Sequence, residues 1–204
     1  GGTVTNMGTI RSPGNPNPAT PNVSPFGFIL GATTEQTGRA ATVVNTGNIS
    51  GFLGVLAGGA LESATINNDG MISATAIAII GQSTGNLTVN NFENGEILAN
   101  ATAIASNAGT LTVDNKGFIF SAGQNAINIT TADAVINNSQ GIVGALSGIT
   151  TTVFQNAEGT QARARNTAVT NSGTIEGRAG SGVSLAGGGS VVNSGVIRGL
   201  DGNN

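Results

Sequence analysis

Along most of the chain, apolar and polar residues alternate in short runs, the period of a β-strand with one buried side. One run recurs as apolar-x-Asn-x-Gly-x-Ile. It stands at Val4–Ile10, Val43–Ile49, Ile66–Ile72, Val113–Ile119, Val169–Ile175 and Val191–Ile197. Slightly longer copies run from Val89 to Ile97 and from Ile136 to Val143, and a degenerate one begins at Phe154. The Asn residues of these phrases are 6, 45, 68, 91, 115, 138, 156, 171 and 193, with successive spacings of 39, 23, 23, 24, 23, 18, 15 and 22. A second alternating phrase follows the first, as at Ala76–Ile79, Ala126–Ile129 and Gly182–Leu185.

A unit of two or three short strands cannot bury its inner side alone, but stacked copies can. The pattern therefore predicts an all-β chain, a single parallel β-solenoid over residues 1–204 with about nine coils of ~22–24 residues, rising ~4.8 Å per coil. Two columns are expected to point inward. The first holds Val4, Val43, Ile66, Val89, Val113, Ile136, Phe154, Val169 and Val191. The second holds Ile10, Ile49, Ile72, Ile97, Ile119, Val143, Ile175 and Ile197. Small residues two places on (Gly51, Ala74, Ala99, Ser121, Ala145, Gly177 and Gly199) suit a tight bend. Asn and Gly at the corners suit left-handed backbone angles. Asn45, Asn68, Asn91, Asn115, Asn138, Asn171 and Asn193 are expected to stack as a structural amide ladder.

Two stretches break the period. The spacing of 39 exceeds 23 by 16, and all five prolines (13, 16, 18, 21 and 25) fall in the excess. Proline has no N–H for a ladder, so residues 11–40 are expected to include a Pro-rich loop insertion. The spacings of 18 and 15 predict an irregular short coil over residues 157–168. Neither end carries a capping pattern, which suggests a longer parent chain or head-to-tail stacking of copies.

Composition narrows the chemistry. The chain has 7 basic and 10 acidic residues, a net charge of −3, and no Cys, His, Trp or Tyr. Charged residues make up 8%, against about 25% in an ordinary globular protein. So sparse a set of Lys and Arg cannot neutralise a phosphate backbone, which excludes a basic nucleic-acid binder. The missing Cys and His remove thiolate nucleophiles, imidazole bases and the usual zinc sites. No apolar run approaches the roughly 20 residues that span a bilayer. No cofactor is expected, because the Gly-rich stretches lack the Gly-Lys-Ser/Thr of a phosphate loop.

Asn171-Ser172-Gly173-Thr174-Ile175 and Asn6-Met7-Gly8-Thr9-Ile10 resemble the repeats of bacterial autotransporter passenger domains and related large surface adhesins. The likeness covers nearly the whole chain outside residues 11–40. It implies a right-handed parallel β-helix, exported and displayed at or released from the bacterial cell surface. Its partners would be its own copies or parent chain, and host or matrix glycans and proteins.

Few residues are candidates for chemistry. Asp69, Glu93, Glu96 and Asp114 fall near one corner when adjacent coils are aligned, a candidate calcium site or acid/base pair. A solvated corner is the plainer reading, since Asn fills the equivalent positions in other coils. Arg163 and Arg165 alternate with alanines and would project from one face, able to grip a carboxylate or an anionic sugar. Thr3, Thr42, Thr65, Thr88 and Thr112 form an outward column of the kind seen in ice-binding solenoids, but it lapses to Val135, Val153, Ala168 and Ser190. The expectation is a non-catalytic extracellular structural or adhesive solenoid, a surface fibre or adhesin stalk. A polysaccharide lyase or hydrolase of β-helix type and a self-assembling filament or sheath subunit are the alternatives.

Overall fold

The computed structural model describes residues 2–12, 26–32, 39–59, 61–82, 85–130, 133–152, 154–155, 161–162 and 166–200. The described residues form a parallel β-solenoid with three faces and no helix. No helix is therefore long and apolar enough to cross a membrane. The first face is an eight-stranded sheet. From Gly2–Asn6 it passes through Arg39–Asn45, Leu61–Asn68, Asn86–Asn91, Thr110–Asn115, Asp133–Asn138 and Thr167–Asn171 to Gly189–Asn193. The second face carries strands such as Glu96–Ala99, Phe118–Ser121 and Gly141–Gly144, and the third carries Thr102–Ser106, Ile127–Ile129 and Ile149–Thr151. Asn48–Gly59 and Met71–Gly81 run through the corner between the second and third faces, so these two join as one sheet. About six turns, from Arg39 to Leu185, make up the body of the stack.

Register explains why the alternation works. Each inward residue sits over its counterpart one turn away, as in Ile66↔Val89, Val89↔Val113 and Val113↔Ile136. Three such columns close the core. Val43 through Val169 line the first face, Ile49, Ile72, Ile97, Ile119, Ile142 and Ile175 the second, and Val55, Ile79, Ile104, Ile127 and Ile149 the third. Nearly all are sealed from solvent, and full burial of each contributes about 1.5–3 kcal/mol. The third column was only partly visible in the sequence, because its phrases vary in spacing from the Asn.

The structure corrects three expectations. Asp133–Asn138 pairs directly with Thr167–Asn171, so the phrase at Phe154 adds no level to the first face, which stacks eight strands and not nine. Its spacings of 18 and 15 are one turn plus an excursion, where Phe154–Gln155 and Gln161–Ala162 pair antiparallel. Most of the short coil expected at 157–168 lies outside the described residues, which resume with the strand at Thr167–Asn171. Second, Ile119 pairs with Ile142 and Ser121 with Gly144, so Val143 and Ala145 were each one place out of frame. Residues 11–40 also contain a strand. Phe26–Ala32 is a strand of the third face, beside 53–59; the five prolines lie outside the described residues.

Third, the corner glycines are required by close stacking and not by left-handed angles. Positive φ occurs only at Gly59, Gly188 and Gly189 among the described glycines. A Cβ on Gly47 would stand 2.1 Å from the carbonyl oxygen of Gly8, one on Gly117 2.1 Å from that of Gly95, and one on Gly195 2.1 Å from that of Gly173. The backbone of each turn occupies the place a side chain would need.

Candidate functional site

The most ordered polar feature is the amide column at the first corner. Asn Nδ2 donates to the next Asn Oδ1 throughout: Asn6 to Asn45 at 2.7 Å, Asn45 to Asn68 at 2.7 Å, Asn68 to Asn91 at 2.8 Å and Asn91 to Asn115 at 2.8 Å. Asn115 to Asn138, Asn138 to Asn171 and Asn171 to Asn193 continue it at 2.7 Å each. The second amide hydrogen is shared between a carbonyl of the same turn and one of the next, as for Asn45 with Gly47 and Met71. The amides from Asn45 to Asn115 are fully buried. Burial of an amide is tolerated only when its hydrogen-bonding groups are satisfied, and here the next coil is what satisfies them. The column thus fixes vertical register and has no reactive group.

The acidic corner does not assemble. Among the described residues no three carboxylates approach closely enough to hold a metal ion. Asp69 follows the corner Asn and accepts a bond from Asn94 Nδ2 at 3.2 Å. Glu93 is exposed in the lengthened corner before Glu96. Glu96 opens a second-face strand, in register with Met71 and Phe118, whereas Asp114 lies on the first face beside Asn90 and Asn137. Sequence alignment put the four near one another, but the corner separates the faces to which they belong. Arg163 and Arg165 lie outside the described residues.

The outward threonines do stack, with Thr3, Thr42, Thr65, Thr88 and Thr112 in continuous register. Val135 and then Ala168 and Ser190 follow directly. Val153 lies outside the described residues.

A cluster that sequence reading missed lies on the second face. Glu176 occupies the column of Phe120 and Val143, with Arg198 one turn beyond. Arg198 Nε donates to Glu176 Oε2 at 2.8 Å and Arg178 Nε to Oε1 at 3.2 Å. The Arg198 guanidinium holds the Glu176 carboxyl below its ordinary range, aided by Arg178 and opposed by burial. Arg178 also lies over the Phe120 ring, 5.2 Å from its centroid, and Phe120 is stacked beside Phe118. The separation of 22 between Glu176 and Arg198, one coil length, was the available signal. Both carboxylate oxygens are occupied by cations, which suits a structural clasp and not an acid or base. No protein-family model, curated protein or solved structure matches this chain.

Proposed function

We propose that the chain is a non-catalytic structural and adhesive β-solenoid of the bacterial cell exterior, a segment of a surface fibre or adhesin stalk built as a right-handed parallel β-helix. The observation that carries this reading is the unbroken amide ladder from Asn6 to Asn193. Every level repeats the same buried polar contact, and the core columns repeat with it. The sequence has been spent on vertical continuity, which yields a stiff rod whose backbone hydrogen bonds run along its axis. Its role is then mechanical: to hold a binding surface away from the cell, either within a longer chain or by stacking with further copies.

Immunogold labelling of the producing cells, with antibodies raised against the purified chain, tests this reading. Label at the outer surface is the expected result, with thin rods in negative stain. Label confined to the cell interior would overturn it. Incubation with acidic polysaccharides is expected to release no unsaturated or reducing ends; turnover lost on Asp69→Asn or Asp114→Asn would replace the stalk by an enzyme.

A further inference from the structure

A groove of about 870 Å³ runs along the outer side of the second face, across five successive levels from Arg11 to Phe120. Four steps of ~4.8 Å give it a length of roughly 19 Å. Its floor follows one outward column, in which Ser50 and Ser73 stand in register and Leu98 takes the next level before Phe120. The corner leading to the third face raises a wall on one side, where Phe52 and Asn100 stand exposed. Phe52 shows 48% of its surface to solvent. Phe120 closes the far end, its ring braced by Phe118 and Arg178. Arg11 is exposed at the near end and is the one charged residue among the described residues of the lining, which include no carboxylate.

We infer that this groove binds an extended acidic oligosaccharide lying parallel to the solenoid axis. The rise per sugar of an extended β-1,4-linked hexopyranose chain is close to one coil step, so successive sugars meet successive levels, alternate ones turned over. The exposed Phe52 ring offers an apolar platform for a sugar face. Ser50, Ser73 and Asn100 supply hydroxyl and amide groups that both donate and accept, which suits a ligand dense in hydroxyls. The Arg11 guanidinium takes a sugar carboxylate through paired N–H donors. A described lining with one cation and no anion favours a carboxylated sugar over its neutral counterpart. The five levels limit the ligand to a short stretch of chain, with no reacting group above it, so the site holds glycan without cleaving it. This binding role rests on the adhesive reading of the solenoid and names its ligand class.

Isothermal titration of the 204-residue chain with a β-1,4-linked mannuronate hexamer, and with mannohexaose of the same linkage, tests the inference. The mannuronate hexamer is expected to bind with a Kd between about 10 μM and 1 mM, and mannohexaose about tenfold more weakly. Arg11→Ala should remove the preference for the acidic sugar. Phe52→Ala should weaken both sugars about tenfold, and Ser73→Trp should fill the floor and abolish both. Arg11 and Phe52 are exposed, so their variants keep the parent melting temperature. No binding of either hexamer at millimolar concentration overturns the inference, as does affinity untouched by Arg11→Ala and Phe52→Ala. Equal affinity of the parent chain for the two hexamers overturns the acidic assignment. Surface label on cells without sugar binding would sink the groove and leave the stalk standing. Sugar binding with interior label would do the reverse.

Discussion

Val113 and Val191 are the same residue in the same column, on parallel strands of the same face, yet one is fully buried and the other is 44% exposed. Val113 lies between Val89 and Ile136, whereas Val191 has only Val169 beside it among the described residues. The same contrast holds between Asn115, enclosed by two amides, and Asn193, which meets one. In a solenoid a residue's environment is created by the levels above and below it. Neither its own strand nor its own chemistry supplies it. The energetic meaning of a repeat position therefore depends on where in the stack it falls.

Charge in the core gives the largest separation between the two regions. Val113→Asp would place an uncompensated carboxylate among isoleucines, and a loss of about 4 kcal/mol or more is expected, enough to abolish the cooperative melt. Val191→Asp in the same 204-residue chain should change stability by no more than about 0.5 kcal/mol, as at an ordinary surface site. Circular dichroism melts of the two variants measure this directly. Equal losses would mean that the columns do not draw their burial from stacking.

The amide ladder sharpens the comparison without introducing charge. Asn115→Ala removes the acceptor of Asn91 and the donor to Asn138 inside a buried column. Each unsatisfied group costs about 1–3 kcal/mol, so a total loss of about 2–4 kcal/mol is expected. At Asn193 water can replace the missing partner, and Asn193→Ala should cost less than about 1 kcal/mol. Urea unfolding gives both values; a ladder worth the same at both positions would point to local turn geometry as its main role.

Glycine tests the steric half of the same idea. A Cβ on Gly117 would meet the carbonyl oxygens of Gly95 and Phe92 at 2.1 and 2.4 Å, whereas one on Gly8 meets nothing within 4 Å. Gly117→Ala should therefore destabilise by about 1–3 kcal/mol through overpacking. Gly8→Ala should range from neutral to about 1 kcal/mol stabilising, because it removes freedom from the unfolded chain alone. Matching losses at the two sites would restore the backbone-angle explanation that the φ values argue against.

These positions also show what a repeat sequence exposes. The Asn column and the first core column could be read from a fixed spacing, because a ladder forces equivalent residues into equal arc lengths. Ile142 was missed in favour of Val143 because the frame was set by counting from Asn138, and apolar residues at both positions hid a one-place slip. The excursion after Thr152 defeated counting altogether: only strand pairing shows that Asn138 bonds to Asn171, 33 residues on. Asp69 and Asp114 looked adjacent because a one-dimensional alignment does not record which face of the corner each occupies. The groove was invisible for a related reason. Its lining comes from a strand column and a corner column together, and no single phrase contains both.

Glu176 offers the smallest and most local test, since it places a carboxylate where the middle of the stack has Phe120 and Val143. Its side chain is only 9% exposed, while Arg178 and Arg198 each leave 54% in solvent. Arg198, and less strongly Arg178, lowers the folded-state pKa below the ordinary 4.5. For a depressed carboxyl, the linked stability is present above the unfolded value and is lost as pH falls through the folded one. The parent chain should therefore keep this contribution at pH 7 and shed it progressively below about pH 4.5. Glu176→Gln should melt slightly lower at neutral pH, by an amount equivalent to about 1 kcal/mol or less, because the half-exposed guanidinium heads are screened by water. The two melting temperatures should then converge as the pH falls below the unfolded value and through the lowered folded one. Curves that stay parallel down to the acid unfolding of both chains would show that the arginines cover the carboxylate without stabilising its charge. The burial of Glu176 would then owe everything to its neighbours in the column, as that of Val113 does.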